Sequence, residues 1–203
     1  RRRHTSVVSA FLLNRSSFDC LNNLDLSSFK TDNVLDMSVF FAGCSGLRYL
    51  DLSTFNTAQV RNMSSMFSNC YNLGSISSLN KFETKNVVDM SNMFRYCQYL
   101  SSIDVSNFDT SNVVDLSGMF RQCKSLRLIN VGKFDTSKVT SMSHLFEENF
   151  YLMRLDNINK FKTENVVDFS NMFSGVLQLT SLDISTFDTS KATNMAMMFY
   201  GLR

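Results

Sequence analysis

The stretch FDTSNVVDLSGMFRQCKSLRLINVGK, residues 108–133, decides the fold because close copies of it recur along the chain. Its opening tripeptide, Phe-x-Thr, appears seven times, at intervals of 26 or 27 residues. The seven phenylalanines are Phe29, Phe55, Phe82, Phe108, Phe134, Phe161 and Phe187. A second phenylalanine follows each of them by 11 or 12 residues, as Phe40 follows Phe29 and Phe120 follows Phe108. Repeats of this length predict a solenoid, in which stacked copies bury one continuous core.

Each repeat contains two hydrophobic patterns. Residues 100–108 read LxxLxLxxF after alignment with the other copies, and the alternation in the middle predicts a short strand. Residues 113–126 carry apolar side chains at spacings of mostly three, which predicts a helix of about three turns. Thr110 and Ser111 precede this segment as N-cap candidates. The expected fold class is therefore α/β, with a parallel concave sheet and helices on the convex side.

The repeats predict a single solenoid domain over residues 1–203. We expect a degenerate N-terminal repeat in residues 1–28, regular repeats in 29–186 and a truncated last repeat in 187–203. About seven repeats follow the degenerate first one. This organisation suggests a fragment of a longer repeat array, because terminal repeats normally present a polar outer face.

A longer period lies above the single repeat. KFETKNVVDMSNMF at 81–94 matches KFKTENVVDFSNMF at 160–173, which lies 79 residues further on. Three successive repeats span the same distance. The match indicates that a triplet of repeats has been duplicated.

Composition excludes several classes of protein. The chain has 203 residues, 44% of them apolar and 19% charged, which argues against disorder. A net charge of +2 is too small to indicate nucleic acid or acidic lipid as a general partner. The sequence has no apolar run long enough for a membrane span and no secretory signal at its start.

The complete pattern, LxxLDLSxFxTxxVxxMSxMFxxCxxL, resembles the BspA-like leucine-rich repeats. Its MFxxCxxL segment occurs cleanly at 66–73, 93–100 and 119–126. The resemblance is to the version of unknown function found in bacterial surface lipoproteins. It implies a leucine-rich repeat solenoid of right-handed strand–helix coils, usually extracellular and used for adhesion or protein binding.

Four cysteines share one position of the repeat. They are Cys44, Cys70, Cys97 and Cys123. Other copies place Phe18, Asn149 or Val176 there, so the position does not require sulfur. We therefore expect buried free thiols that pack as small apolar residues. Disulfides between coils or a metal site are the alternatives, but side chains that point in parallel suit a disulfide poorly. Cys20 lies outside this position.

No catalytic group, metal site or cofactor is predicted. The two histidines, His4 and His144, have no partner at metal-ligand spacing, and His144 is expected on a solvent-facing helix position. Phosphate loops and nucleophile motifs are absent from the sequence. The abundant polar residues recur in register, as scaffold residues do. We expect the protein not to be an enzyme.

One outward position of the predicted strand is mostly acidic. Its members are Asp25, Asp51, Ser77, Asp104, Asn130, Asp156 and Asp183. A calcium strip is one interpretation. The favoured interpretation is that each carboxylate binds turn amides or serine hydroxyls within its own Asp-x-Ser segment, because calcium requires six or more oxygen ligands.

Positions beside the acidic row vary between repeats, and variation on a fixed frame is typical of binding surfaces. Arg48 with Tyr49 forms one expected patch, and Arg127, Leu128 and Arg154 form a second. The predicted binding residues are Asp25, Arg48, Tyr49, Asp51, Asp104, Arg127, Leu128, Arg154, Asp156 and Asp183.

The sequence favours a non-enzymatic, cell-surface adhesion module that binds a protein or another macromolecule through the concave face. One alternative is a structural array that self-associates in a surface layer, through an open C-terminal end that carries Met195, Met198, Phe199 and Leu202. An intracellular scaffold is the third hypothesis. This segment contains no targeting signal. A bacterial surface location is expected from the resemblance alone.

Overall fold

A computed structural model describes residues 24–202 as a stack of coils, each formed by one repeat. Equivalent residues of successive coils lie side by side and form columns that run along the stack. Most of the predicted degenerate repeat, including Phe18 and Cys20, lies outside the described residues. The repeat solenoid predicted from the sequence is confirmed.

The described residues contain four short strands. They are β1 (Tyr49–Asp51), β2 (Ser75–Ser77), β3 (Leu128–Asn130) and β4 (Arg154–Asp156). β1 pairs in parallel with β2, and β3 pairs in parallel with β4. The parallel direction agrees with the prediction. The expected continuous sheet of one strand per coil is wrong, because the described residues form two separate two-stranded sheets.

Each of these sheets ends at a coil that carries one extra residue. Ser78 follows β2 in a left-handed conformation (φ 62°) and leads into a 3-10 turn, η1 (Leu79–Lys81). Asn157 (φ 67°) follows β4 in the same way and leads into η2 (Ile158–Lys160). Both coils belong to the 27-residue repeats, so this bulge accommodates the additional residue. The two halves of the described structure repeat at 79 residues, the offset of the sequence duplication.

The predicted helices are wrong. Residues 113–126 form consecutive turns instead, and no α-helix occurs among residues 24–202. Met119 N donates to Leu116 O (3.2 Å), and Arg121 N donates to Gly118 O (3.0 Å). Turns closed by such bonds bring every third residue inward, so they produce the spacing of three from which a helix was predicted. Among the described residues, none lies in a helix that could cross a membrane.

Alternate amides in these turns bind the next coil rather than their own. Gly118 N donates to Ser143 O (2.8 Å), and Phe120 N donates to Leu145 O (3.1 Å). Left-handed residues occur at two positions four residues apart in each coil and prevent a continuous helix. These positions hold Val39, Ser65, Asn92, Gly118, His144, Asn171 and Met197, then Gly43, Asn69, Tyr96, Gln122, Glu148, Gly175 and Gly201. A Cβ atom on Gly118 (φ 59°) would lie 2.6 Å from Asn92 Oδ1, so a larger residue there would require the Asn92 side chain to move.

A line of parallel β-bridges runs the length of the described stack, away from β1–β4. We call its residues the bridge column; they are Asp36, Asn62, Asp89, Asp115, Ser141, Asp168 and Asn194. With short strands, bridges, turns and two 3-10 segments but no α-helices, residues 24–202 are a β-type solenoid rather than the predicted α/β one. Parallel pairing along the bridge column connects all the described coils.

Stacked phenylalanines form the centre of the core. Ring centroids of neighbours are 5.4 to 6.0 Å apart, with interplanar angles of 1° to 14°. The stack contains Phe41, Phe67, Phe94, Phe120, Phe146, Phe173 and Phe199. In the first described coil the stacked ring is Phe41, which follows Phe29 by 12 residues. The sequence prediction that Phe40 is the second phenylalanine of this repeat is therefore wrong. Phe40 lies edge-on to Phe41, with centroids 4.6 Å apart.

The threonine of Phe-x-Thr connects each coil to the next. Thr84 Oγ1 donates to Asp109 O (3.0 Å) and accepts from Asp109 N (2.8 Å). Thr57 makes the same pair of bonds to Glu83, and Thr136 makes it to Lys162. The threonines of all described coils except the last are buried. One buried hydroxyl therefore satisfies both backbone groups of a residue in the following coil.

The cysteine column confirms the packing prediction. Cys44, Cys70, Cys97 and Cys123 are free and buried. Cys70 Sγ donates to Phe41 O (3.0 Å), and Asn149 Nδ2 makes the equivalent bond to Phe120 O (3.0 Å). Burial raises the pKa of the Cys44 thiol to about 11. The thiols are therefore protonated donors at neutral pH.

Candidate interaction surface

The outward side chains of β1–β4, with their equivalents in the other coils, form what we call the strand face. Tyr49 and Leu128 of this face are 44% and 42% exposed, and the adjacent Leu50 and Ile129 are fully buried. Side chains along each strand point alternately into the core and into solvent. The buried side chains hold the strand in place, and the side chains between them remain exposed. Residues that differ between coils are presented at equivalent places on one frame.

Three predicted residues meet at the N-terminal part of the strand face. Tyr49 Oη donates to Ser77 Oγ (3.0 Å), and Ser77 Oγ donates to Asp51 Oδ1 (2.8 Å). Asp25, Tyr49 and Asp51 line one surface groove together with Thr54. This groove combines an exposed aromatic ring with two carboxylates. Arg48 is also exposed here, and its carbonyl accepts from Gly74 N at 2.9 Å.

A second group of predicted residues lies on β3 and β4. Leu128 pairs in register with Arg154. Arg154 Nη2 forms an ion pair with Asp156 Oδ2 at 2.7 Å, and the Arg154 side chain is 66% exposed. Arg127 is exposed, and its carbonyl accepts from Arg154 N at 3.1 Å. The structure therefore places the exposed Leu128 of β3 directly after the exposed Arg127 and beside the exposed Arg154 of β4.

Two predicted residues belong to neither group. Asp104 and Asp183 lie in coils without a strand among the described elements. Asp104 accepts from Ser106 N at 3.1 Å, and Asp183 accepts from Asn159 Nδ2 at 2.9 Å. These carboxylates are exposed but make local contacts.

The acidic row has the local bonding that was favoured from the sequence. Asp25 Oδ1 accepts from Ser27 N at 2.9 Å, and Asp51 Oδ1 accepts from Ser53 N at 3.0 Å. Asp183 Oδ1 accepts from both the amide and the hydroxyl of Ser185. These are Asx turns, so the Asp-x-Ser interpretation is confirmed for these residues. Within residues 24–202, no group of three or more His, Cys, Asp or Glu side chains could hold a metal ion.

Sequence reasoning missed a charged cluster on the turn side of the coils. Glu147 is buried, with Oε2 2.8 Å from His144 Nδ1 and 2.5 Å from Arg121 Nε. The Arg121 contact is an ion pair without hydrogen-bond alignment. His144 is half-buried in a left-handed turn (φ 58°), so its predicted place on a solvent-facing helix is wrong. Arg121 and Glu147 occupy equivalent positions of adjacent repeats, and this change of charge was the signal from which the ion pair could have been predicted.

We expect acid to destabilise the fold through the Asx turns. Hydrogen bonds from Ser77 and Ser53 hold the pKa of Asp51 below its ordinary value, and Ser106 does the same for Asp104. A folded-state pKa below the unfolded one gives stability that is present above about pH 4 and is lost as pH falls. The melting temperature should therefore be lower at pH 3 than at pH 6.

Asparagine substitutions provide the control for this pH effect. Asp51→Asn and Asp104→Asn keep an Oδ1 acceptor for the turn amide but do not titrate. The difference in melting temperature between pH 6 and pH 3 should shrink in the double variant. An unchanged difference would assign the acid sensitivity to other groups.

Comparison with known proteins places the chain in a family. No curated protein matches it significantly. A crystal structure of a leucine-rich repeat protein from T. pallidum, TpLRR, is similar over 73% of this chain and 72% of that chain, with 19% identity and a TM-score of 0.42. The family model described as "Mycoplasma protein of unknown function, DUF285" matches residues 6–80, 74–154 and 124–203. Since these matches span nearly the whole chain, the protein belongs to the DUF285 family.

Proposed function

We propose that this protein is a non-enzymatic binding module of a bacterial surface protein of BspA-like type, which contacts a host protein or another macromolecule through the strand face. The observation that carries the proposal is the exposure of Tyr49, Leu128 and Arg154 at equivalent places on a regular frame. Tyrosine and arginine are enriched at the energetic centres of protein interfaces. The predicted concave curvature would bring the two groups of residues toward one partner.

The family supports a bacterial source for this proposal, and the repeat architecture supports a binding role. A stack of identical coils offers a long surface whose frame does not depend on the exposed side chains. Lipid anchoring and export belong to the same proposal and rest on the resemblance of the repeats. Adhesion requires no turnover, so the absence of a catalytic motif in the sequence agrees with it.

Substitution of the strand face provides the test. The triple variant Arg48→Ala, Tyr49→Ala, Arg154→Ala should bind cultured epithelial cells at least about tenfold more weakly than the parent chain, because each change removes an exposed interface anchor. Binding of the fluorescently labelled chain would be measured by flow cytometry. Thermal melting should be nearly unchanged, since all three side chains are exposed.

A matched variant on another side of the coil separates this effect from a general loss of charge. Arg61→Ala with Lys138→Ala removes two exposed cations from outside the strand face. This variant should bind as the parent does. Equal losses in both variants, or full binding by the strand-face variant, would contradict the proposed surface.

Self-association is the second candidate function, and one observation favours it. Phe199 stacks on Phe173 at 6.0 Å, is 43% exposed, and has no stacked ring on its other side among the described residues. Met197 and Tyr200 beside it are 63% and 70% exposed. Contiguous apolar exposure of this kind is typical of an interface.

Sedimentation over a range of concentrations tests the self-association candidate. The parent chain should form larger species as concentration rises, and Phe199→Asp should leave monomers. Tyr151→Asp, which changes an exposed ring elsewhere, is the control. A parent chain that stays monomeric throughout would exclude association through this surface.

A further inference from the structure

A group of aromatic side chains lies in the turns that lead into the strand positions of the middle coils, and three of its members are exposed. We call it the aromatic corner: Tyr71, Tyr96, Tyr99, Phe150 and Tyr151. These residues follow the stacked phenylalanines by four or five positions, or by two for Tyr96. Equivalent positions in other coils hold glycines, including Gly43, Gly46 and Gly175. The aromatic side chains are therefore not needed to form a coil.

Two of the rings lie close to each other, and three of the five are open to solvent. The Tyr71 and Tyr96 centroids are 6.1 Å apart, and Tyr99 N donates to Tyr71 O at 3.2 Å. Tyr99 is 64% exposed, Tyr151 54% and Tyr71 40%. Exposed aromatic side chains grouped in this way cost free energy in water unless a partner covers them.

Two cations accompany the rings. Arg95 lies over the Tyr96 ring, with Cζ 4.8 Å from the centroid, and Lys124 Nζ lies 5.3 Å from the Phe150 centroid. Neither cation forms an ion pair with any residue in 24–202. Arg121, by contrast, is already paired with Glu147. The aromatic corner thus offers two positive charges that lack an acidic partner.

The chemistry of this surface selects a class of ligand. Free cations favour carboxylate or sulfate groups, and exposed aromatic faces favour the flat C–H faces of sugar rings. Amide side chains occur between the aromatic residues at Asn72, Gln98 and Gln122 and can bind hydroxyl groups. The surface grooves around Asp51 and around Lys81 lie on other parts of the coil. The rings belong to three of four successive coils, and the remaining coil contributes Lys124. An extended chain of sugars can span such a series, whereas a peptide needs pockets for its anchor side chains.

We infer that the aromatic corner binds an acidic polysaccharide, with Tyr99 and Tyr151 stacking on sugar rings and Arg95 and Lys124 binding their acidic groups. These four residues differ from the strand-face residues proposed above for adhesion. Each set can therefore be substituted while the other is kept.

Hyaluronate, whose acidic groups are carboxylates only, is the first probe for this inference, with neutral dextran as its uncharged counterpart. The chain should bind hyaluronate in calorimetric titrations and should not bind dextran. Tyr99→Ala with Tyr151→Ala should weaken binding at least tenfold, and so should Arg95→Gln with Lys124→Gln. Tyr49→Ala, on the strand face, should leave it unchanged. Thermal melting of each variant checks that it is folded.

Three results would overturn the inference. The first is the absence of binding to hyaluronate and to heparin, which carries sulfates. The second is binding that the tyrosine variant leaves intact, because this would show non-specific attraction between charges. The third is equally strong binding of poly-glutamate with the same dependence on the tyrosines, which would identify an acidic peptide as the ligand.

Discussion

Phe94→Ala should lower the free energy of unfolding by about 3–5 kcal/mol, as expected for removal of a fully buried phenylalanine ring. Phe94 is fully buried between Phe67 and Phe120, with ring centroids at 5.4 and 5.8 Å. Truncation leaves a cavity that faces both neighbouring coils and removes two ring contacts. For a chain of this size, the melting temperature should fall by roughly 6–20 °C. Calorimetry or circular dichroism would measure the change.

Phe199→Ala is the matched control for this prediction. It removes a ring from the same stack, but Phe199 is 43% exposed and, among residues 24–202, stacks on Phe173 alone. Its cost should be well below that of Phe94→Ala. Equal costs at the two positions would mean that the stack itself contributes little, and that stability resides in the bonds between coils.

Thr84→Val should destabilise the protein by about 2–3 kcal/mol, although valine has nearly the same shape as threonine. The hydroxyl of Thr84 pairs with both the amide and the carbonyl of Asp109. With valine at position 84, the amide and the carbonyl of Asp109 lose their hydrogen-bond partner. The free energy lost in this way exceeds the free energy gained by burying a methyl group in place of the hydroxyl. Chemical denaturation, with the midpoint and the slope fitted separately, would measure it.

Two further variants isolate the hydroxyl contribution. Thr84→Ser keeps the oxygen and should recover most of the stability. Thr189→Val changes the equivalent residue of the last described coil, where the side chain is exposed, and should be nearly neutral. A neutral Thr84→Val would show that water or a backbone shift replaces the threonine bonds, and the proposed connection between coils would then be wrong.

The period of the repeat was the most informative feature of the sequence. The Phe-x-Thr interval predicted a stack, and the structure aligns equivalent residues in columns such as the stacked phenylalanines. The cysteine column was also predictable, because Asn149 and Val176 at equivalent positions excluded a requirement for sulfur. The Asp-x-Ser turns could be inferred from local chemistry alone, since their bonds link residues two positions apart.

The helices were mispredicted because two structures share one hydrophobic spacing. An α-helix and a series of three-residue turns both bring inward the apolar residues of 113–126. Left-handed residues distinguish the two, and the sequence marks some of them with glycine or asparagine, as at Gly118 and Asn171. His144 and Val39 adopt the same conformation without any such signal. Their backbone is set by bonds to adjacent coils, which no single repeat reveals.

The strand-face residues were predicted individually, but their pairing was not. Arg154 and Asp156 lie two residues apart in one strand, whereas Tyr49 and Ser77 meet across two coils. Only the parallel register, with Tyr49 opposite Ser75, brings the second pair together. Contacts of this kind depend on the length of each repeat, including the extra residue that follows β2.

The hydroxyl bond of each buried threonine also has a genetic consequence. The threonine hydroxyl of each coil binds an amide and a carbonyl of the following coil. The same pair of bonds therefore recurs at each junction between buried threonines and the next coil. Unequal recombination that removes or adds a whole repeat would rejoin surfaces that already match. Gene length in such an array can therefore drift between lineages while every junction keeps its bonds, and selection is left to act on the exposed positions.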